Sequence, residues 1–298
     1  MDFGLALQNH HAGASPAGLT ASADAVERHG WQSVWAVDHM VVAGNEAADY
    51  GWTLECLLSL AWLAASHSQL RLATGVLVPP MRDAVQLAKE LATLDVLSGG
   101  RLVIGVGVGD EDDLGEYRNL GKADRFHRRG AYLDEAIAVW RHLWSGSKAP
   151  FRGEFVELED FTFDPLPAQG AGIPIYSGGR SARAMARVGR LTDGFYSSRW
   201  GPDDLRDQWP AMVERAASNG RPRPFLATRV RVRFDAAPDG RYSVCGTAPE
   251  MAAELRRFAD LGTNEFVAVL DAVEPGDIEA QTTRFAREVV ARYRDAAA

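Results

Sequence analysis

The sequence predicts an α/β chain folded as a (β/α)8 barrel, with an insertion between the fourth helix and the fifth strand. Three observations carry that prediction. Short apolar runs rich in Val, Ile and Leu alternate with longer amphipathic runs, the pattern of buried parallel strands and the helices that cover them. The alternation completes eight times along 298 residues, and a barrel of eight such units takes about 250 residues. No Rossmann-like glycine turn opens the first unit, so a closed ring is favoured over an open doubly wound sheet. On this reading residues 1–298 form a single domain.

The first strand lies near Asp2–Leu7 and a helix runs from about Pro16 to His29, with Gly30 as its C-terminal stop. Ser33–Asp38 is the second strand, and Thr53–Ser66 the helix after it. Leu70–Val78 is the third strand. Asp83 is placed to cap the next helix, where Leu87, Leu91 and Leu94 share a face. Leu102–Val108 is the fourth strand, and the helix near His127–Trp144 carries Leu133, Ile137, Trp140 and Trp144 as an apolar stripe. Lys148–Gly172 breaks the rhythm and reads as a small hairpin or extended insertion. Ile173–Ser177 is the fifth strand, followed by a helix from Ser181 to Val188. Gly194–Ser197 is the sixth strand, followed by a helix near Pro202–Ala217.

Phe225–Phe234 is the seventh strand. Its Arg229, Arg231 and Arg233 alternate with apolar residues, which predicts a solvated face at the far end. A hairpin to Arg241–Val244 across an Asp239–Gly240 turn is expected there. Thr247-x-x-Glu250 is a capping-box pattern for the seventh helix. Phe266–Leu270 is the eighth strand, and Ile278–Tyr293 the last helix.

Hydrophobic residues at 46% and charged residues at 24% fit a globular chain with a sizeable core. The net charge of −8 with scattered basic residues excludes a nucleic-acid footprint, while leaving room for local binding of an anion. Cys56 and Cys245 give neither a zinc spacing nor a disulfide framework. The opening MDFGLALQ lacks the features of a signal peptide. No apolar run reaches membrane-spanning length. A cytoplasmic protein is expected.

In a (β/α)8 barrel the functional groups sit where strands end and the following loops begin. That rule selects Asn9, His10 and His11 after strand one, and Asp38 and His39 after strand two. It also selects Gly75–Pro80 and Arg82 in and after strand three, and Gly107, Gly109, Asp110 and Glu111 after strand four. Ser177–Arg180 follow strand five, and Ser197–Arg199 strand six. Asp38-His39 serves either proton transfer near neutral pH or a structural hydrogen bond at a strand end. Gly75, inside a β-branched strand, marks either a close approach of a flat ligand or barrel packing. GVGVGDED has G-x-G-x-G spacing, which is not the dinucleotide fingerprint; its small residues clear space. Ser177-Gly178-Gly179-Arg180-Ser181 at a strand-to-helix turn suits a phosphate. The chain lacks a Walker loop, a His-Glu-x-x-His metal motif and a Gly-x-Ser-x-Gly elbow, so no metal site is expected.

In order along the chain, SVWAVDHM, LRLATGVLVPPMRDAVQLAKELATLDVLSGGRLVIGVGVG, RRGAYLDEAIAVWRHLW, FRGEFVELEDFTFDPLP, IPIYSGGRSARAMARVGRLTDGF and CGTAPEMAAELRRFADLGTNEFV resemble the bacterial luciferase-like monooxygenase superfamily. They look most like its branch that uses the deazaflavin coenzyme F420. The resemblance implies that Asp38 hydrogen-bonds near the cofactor ring and that His39 is the general acid or base. It implies that Gly75-Val76 form a strand-three bulge, where relatives carry a non-prolyl cis peptide behind the ring. Gly107 and Gly109 would line the ring pocket, and Ser177, Gly178 and Gly179 would hold the cofactor phosphate.

Two departures bear on substrate. Relatives often carry Trp after the strand-four glycines, whereas this chain has Asp110, which becomes a candidate acid. The sugar-phosphate dehydrogenase branch places Trp four residues after its His, whereas this chain has Ala43. The function expected is hydride transfer between F420 and a small organic substrate, with His39 and Asp110 catalytic and His10, His11 and Arg199 lining the substrate pocket. The alternatives are an FMN-dependent monooxygenase fed by a separate reductase, and a non-catalytic flavin carrier. A homodimer is expected, with no nucleic-acid or membrane partner.

Overall fold

The computed structural model describes residues 1–11, 13–236, 242–272 and 274–295. Eight parallel strands close into a ring. They are β1 Asp2–Ala6, β2 Ser33–Ala36, β3 Arg71–Leu77, β4 Leu102–Val106, β5 Ile175–Gly178, β6 Gly194–Ser198, β7 Phe225–Phe234 and β8 Glu265–Leu270. Each pairs with the next, and β8 closes on β1 through Asp2↔Glu265 to Leu5↔Ala268.

One residue from every strand points to the axis at the same level: Ala6, Trp35, Ala73, Val103, Tyr176, Tyr196, Ala227 and Val267. Methyl-sized and aromatic side chains are mixed in that layer, and Trp35 stacks on Tyr196 with ring centroids 4.6 Å apart. The barrel is therefore filled, as barrels of this size require. The opposite faces of the strands carry Leu5, Val34, Leu72, Ile104, Ile175, Phe195, Leu226 and Phe266, which pack under the helices.

Local signals in the sequence explain the helix ends. Asp83 accepts from the backbone N–H groups of Val85 and Gln86 at the start of the helix Ala84–Ser98. Gly99 ends that helix at φ 68°, a left-handed conformation that suits glycine. Glu250 accepts from the N–H of Thr247 at the head of the helix Ala248–Asp260. Trp140 and Trp144 stack on each other and donate to the carbonyls of Ala84 and Ala88, so the stripe is packing between helices. Between the helix Arg129–Trp144 and β5, Phe151–Arg152 pairs antiparallel with Glu157–Leu158.

Three elements differ from expectation. Ser243–Gly246 lies beside β7 but runs parallel to it, with Ser243↔Arg231, so no tight hairpin joins the two. Strands joined by a two-residue turn are antiparallel, so the parallel pairing rules the expected hairpin out. Asp239, Gly240 and Arg241 fall outside the described residues. The helix after β2 starts at Cys56, because Glu55 caps it by accepting from the N–H of Leu58. The last helix is broken by a π-helical stretch at Phe285–Val290.

Candidate active site

The loops after β2, β3, β4, β5 and β6 surround a cavity of about 460 Å³ at the barrel mouth. Asp38, His39, Gly75, Val76, Gly107, Gly109, Asp110, Gly178 and Gly179 all line it. Segments up to 141 positions apart, Asp38 to Gly179, thus converge as the barrel rule requires.

One wall is made by strand three. The β3–β4 register slips between Thr74 and Leu77, and the Gly75–Val76 peptide is cis. Gly75 rests on the aromatic layer: an added Cβ would run into the Tyr196 hydroxyl and the Trp35 ring. Val76 is flanked by glycines, since a Cβ on Gly107 would meet Val76 Cγ2 at 2.7 Å and one on Gly178 would meet Cγ1 at 3.3 Å. The result is a low apolar wall with Val76 as its relief, a shape that fits one face of a planar ring system.

His39 lines the same cavity. Its Nδ1 is 3.0 Å from Glu116 Oε2, and Glu116 is 1% exposed. Glu116 Oε1 accepts from the N–H of Met40 at 2.5 Å and of Val41 at 2.9 Å. Burial works against charge on both partners. For His39 the hydrogen bond and charge of Glu116, aided by Asp113 and Asp38, outweigh burial and raise its pKa. For Glu116 the His39 bond and the two backbone N–H groups outweigh burial and lower its pKa. Glu116 therefore stays ionised and accepts, which makes Nδ1 the donor and leaves Nε2 for exchange. Tyr50 stacks on the imidazole, with ring centroids 4.1 Å apart.

Asp113 comes close to this pair, and ligand atoms of His39, Asp113 and Glu116 lie within 4.8 Å of one another. Its Oδ2 accepts from the N–H of Asp110 at 2.6 Å. Burial raises the Asp113 pKa. His39 and Glu116 are bonded to each other, Asp113 lies beside them, and both carboxylates are already engaged by backbone N–H donors.

Asp38 faces away from the role expected of it. Its side chain is 1% exposed. Oδ2 accepts from Val78 N–H at 3.0 Å and Arg82 Nε at 3.2 Å, and Oδ1 accepts from Arg82 NH2 at 2.5 Å. Arg82 also reaches Glu55 at 2.8 Å. This forked pair leaves little of the carboxylate for a ring, so Asp38 acts by fixing the loop after β3 against the end of β2.

Ser177 is likewise displaced from its expected contact. It is wholly buried, and its hydroxyl donates to the Ala184 carbonyl at 3.4 Å. Gly178, Gly179, Arg180 and Ser181 line the cavity in its place. Asp110 is exposed at the rim, and the carboxylate that meets His39 is Glu116 rather than Asp110. Sequence reasoning missed Glu116 because it lies on the short helix Leu114–Asn119, 77 positions from its partner, with no local motif.

His10, His11 and Arg199 line an adjoining cavity over β1, β7 and β8. Arg199 borders both spaces. Burial, then the positive charges of His11, Arg229, His39 and Arg231, push the His10 pKa down to about 3.

Because the His39 pKa is raised on folding, the fold favours its charged form. The stability this pair contributes is complete below the ordinary imidazole range, with Glu116 still ionised, and fades as pH rises through the raised His39 value. Glu116→Gln removes the main cause of the raised pKa. The titration of the His39 imidazole is expected to move to lower pH in that variant, read from its ring proton shifts by NMR between pH 5 and 9. An unmoved titration would show that Glu116 does not tune His39.

A family profile for luciferase-like monooxygenases matches residues 1–258. The chain is 30% identical over 250 residues to the F420-dependent glucose-6-phosphate dehydrogenase of Mycobacterium avium (strain 104), covering 82% of this chain and 69% of the relative. A solved F420-dependent secondary alcohol dehydrogenase, in complex with an F420–acetone adduct, superposes with a TM-score of 0.80 at 19% identity, over 97% of this chain and 98% of that one. The FMN-bound oxygenating constituent of 3,6-diketocamphane monooxygenase of Pseudomonas putida superposes at 0.77 with 14% identity, over 98% of each chain. At those identities the two structures establish a shared fold. With the barrel, the strand-three bulge and the matched residues in place, the chain belongs to the luciferase-like monooxygenase family and is an enzyme of that family.

Proposed function

We propose that this enzyme is an F420-dependent oxidoreductase that moves a hydride between the deazaflavin and a small organic substrate. The observation that carries the reading is one cavity shared by the Val76 wall, the His39–Glu116 pair and the Gly178–Gly179 turn. The named activity of the Mycobacterium avium relative supports the choice of cofactor. Val76, Gly107 and Gly109 would back the ring, and Gly178, Gly179 and Arg180 would hold the phosphate. Bound there, the deazaflavin supplies or accepts the hydride. His39 Nε2 gives the substrate its proton or takes it, steadied by Glu116 and Tyr50. His10, His11 and Arg199 face the substrate side, and Asp110 guards the rim.

Separate titrations with F420 and FMN, followed by cofactor fluorescence, test the assignment. F420 is expected to bind more tightly and to change redox state with an alcohol or carbonyl substrate, without oxygen uptake. Tight FMN binding with oxygen consumption and no affinity for F420 would overturn it. F420 binding with no hydride transfer to any substrate would make the protein a carrier.

The reading includes a homodimer. Leu58 and Trp62, one turn apart on the helix Cys56–Ser66, are 71% and 57% exposed. The neighbouring helix Ala84–Ser98 carries Leu97, 65% exposed. An apolar patch of this kind suits a self-complementary interface. Trp62→Lys is expected to shift the sedimentation coefficient from dimer to monomer; a wild type that sediments as a monomer removes the proposal. Both cysteines are free, which fits a reducing cytoplasm. No helix among the described residues is long and apolar enough to cross a membrane.

A further inference from the structure

The cavity beside the cofactor space measures about 600 Å³ and shares Tyr50, Arg199 and Arg229 with it. Its charge is unlike that of the whole chain. Among the described residues it is lined by the guanidiniums of Arg199, Arg229 and Arg231 and the carboxylates of Asp49 and Asp271. Three permanent positive charges thus face two negative ones inside a chain of net charge −8. Asp271 is committed to Arg231 at 3.2 Å and Arg233 at 3.5 Å.

Arg229 follows Ala227 on the inward face of β7, since alternate residues of a strand share a face. Among the described residues its guanidinium has no salt bridge, and its buried Nε has no hydrogen-bond partner. A guanidinium does not shed its charge. Its Nε is shut off from water without a partner, and an anion in the cavity would supply one. His10 Nδ1 and Ser243 Oγ are also buried without partners, and both residues line this cavity. His10 supplies no positive charge there, since its pKa is held near 3.

We infer that this cavity selects a substrate bearing one carboxylate, anchored by Arg229, with its reacting carbon extending past Tyr50 toward His39. A planar guanidinium meets a carboxylate in a forked pair that an amide or ester does not reproduce. Arg229 is thereby a specificity-determining residue, and Arg199 borders the same path. The inference rests on the proposed function, since the reaction places the substrate next to the cofactor.

The test uses F420-loaded protein and three probes: 4-oxopentanoate, its primary amide, and inorganic phosphate. Calorimetric titration is expected to give the acid about tenfold tighter binding than the amide, equivalent to about 1.4 kcal/mol. Arg229→Gln is expected to erase that difference, and Arg229→Lys to keep part of it, with both variants checked by thermal melting. Equal binding of acid and amide to the wild type would overturn the inference. So would phosphate binding more tightly than the acid. An Arg229→Gln variant that loses F420 affinity but keeps the acid–amide difference would assign Arg229 to the cofactor instead. The same titration without cofactor separates the two readings: an acid–amide difference in a protein that fails to bind F420 would sink the cofactor assignment and leave the carboxylate site standing.

Discussion

His39→Ala is expected to lower kcat by roughly 10²–10⁴-fold, the range of a lost general acid or base. The geometry gives that figure its basis. Nδ1 is tied to a buried carboxylate, so the ring cannot turn its other nitrogen away from the cavity. Tyr50 stacks on one face and restrains the plane. A group held in this way spends no freedom when the substrate arrives. Alanine removes the proton carrier and leaves the Val76 wall and the glycine turn in place. Affinity for F420 should therefore stay within a few-fold of the wild type, by fluorescence titration. Turnover within tenfold of the wild type would mean that another group, or water, moves the proton.

Arg82→Ala is expected to produce the largest loss of stability, about 3–5 kcal/mol, the range for breaking one side of a buried ion pair. Among the described residues, Asp38 would then keep only the Val78 N–H as a hydrogen-bond donor, while remaining almost wholly enclosed. Glu55 would lose its ion-pair partner and keep its cap on Leu58. Circular dichroism melting should show a fall in midpoint of about 10 °C. The combined Arg82→Met, Asp38→Asn replacement separates lost charge from lost packing, because it removes both charges together. A smaller loss in the double variant is expected; an equal or larger loss would assign the effect to packing of the Arg82 stem.

The barrel was legible because its signal is periodic. Eight apolar runs, among them LRLATGVLV and LVIGVGV, mark strands without knowledge of any contact. Caps such as Asp83 and Glu250 are equally local, and both make the expected bonds. The lining of the cavity was legible only where a single loop carries it. His39 follows β2 and Gly178 ends β5, so the rule on strand ends found them. Glu116 was hidden, because a helical glutamate means nothing until the fold brings it to a histidine 77 positions away. Asp38 was found but misread: its adjacency to His39 is visible in sequence, and its capture by Arg82, 44 positions on, is not. Arg229 reads in sequence as one of three alternating arginines, and only the closed ring turns it toward the mouth.

The layer containing Trp35 and Tyr196 makes this barrel a cup instead of a tube. Beneath the stopper, where the strands begin, Ser33 bonds to Glu265, and Trp35 Nε1 donates to Ser33 Oγ at 2.6 Å. The two ends of the molecule are thereby free to change for different reasons. Alterations at the base bear only on how long the vessel survives heating, whereas alterations at the lip also decide what it holds.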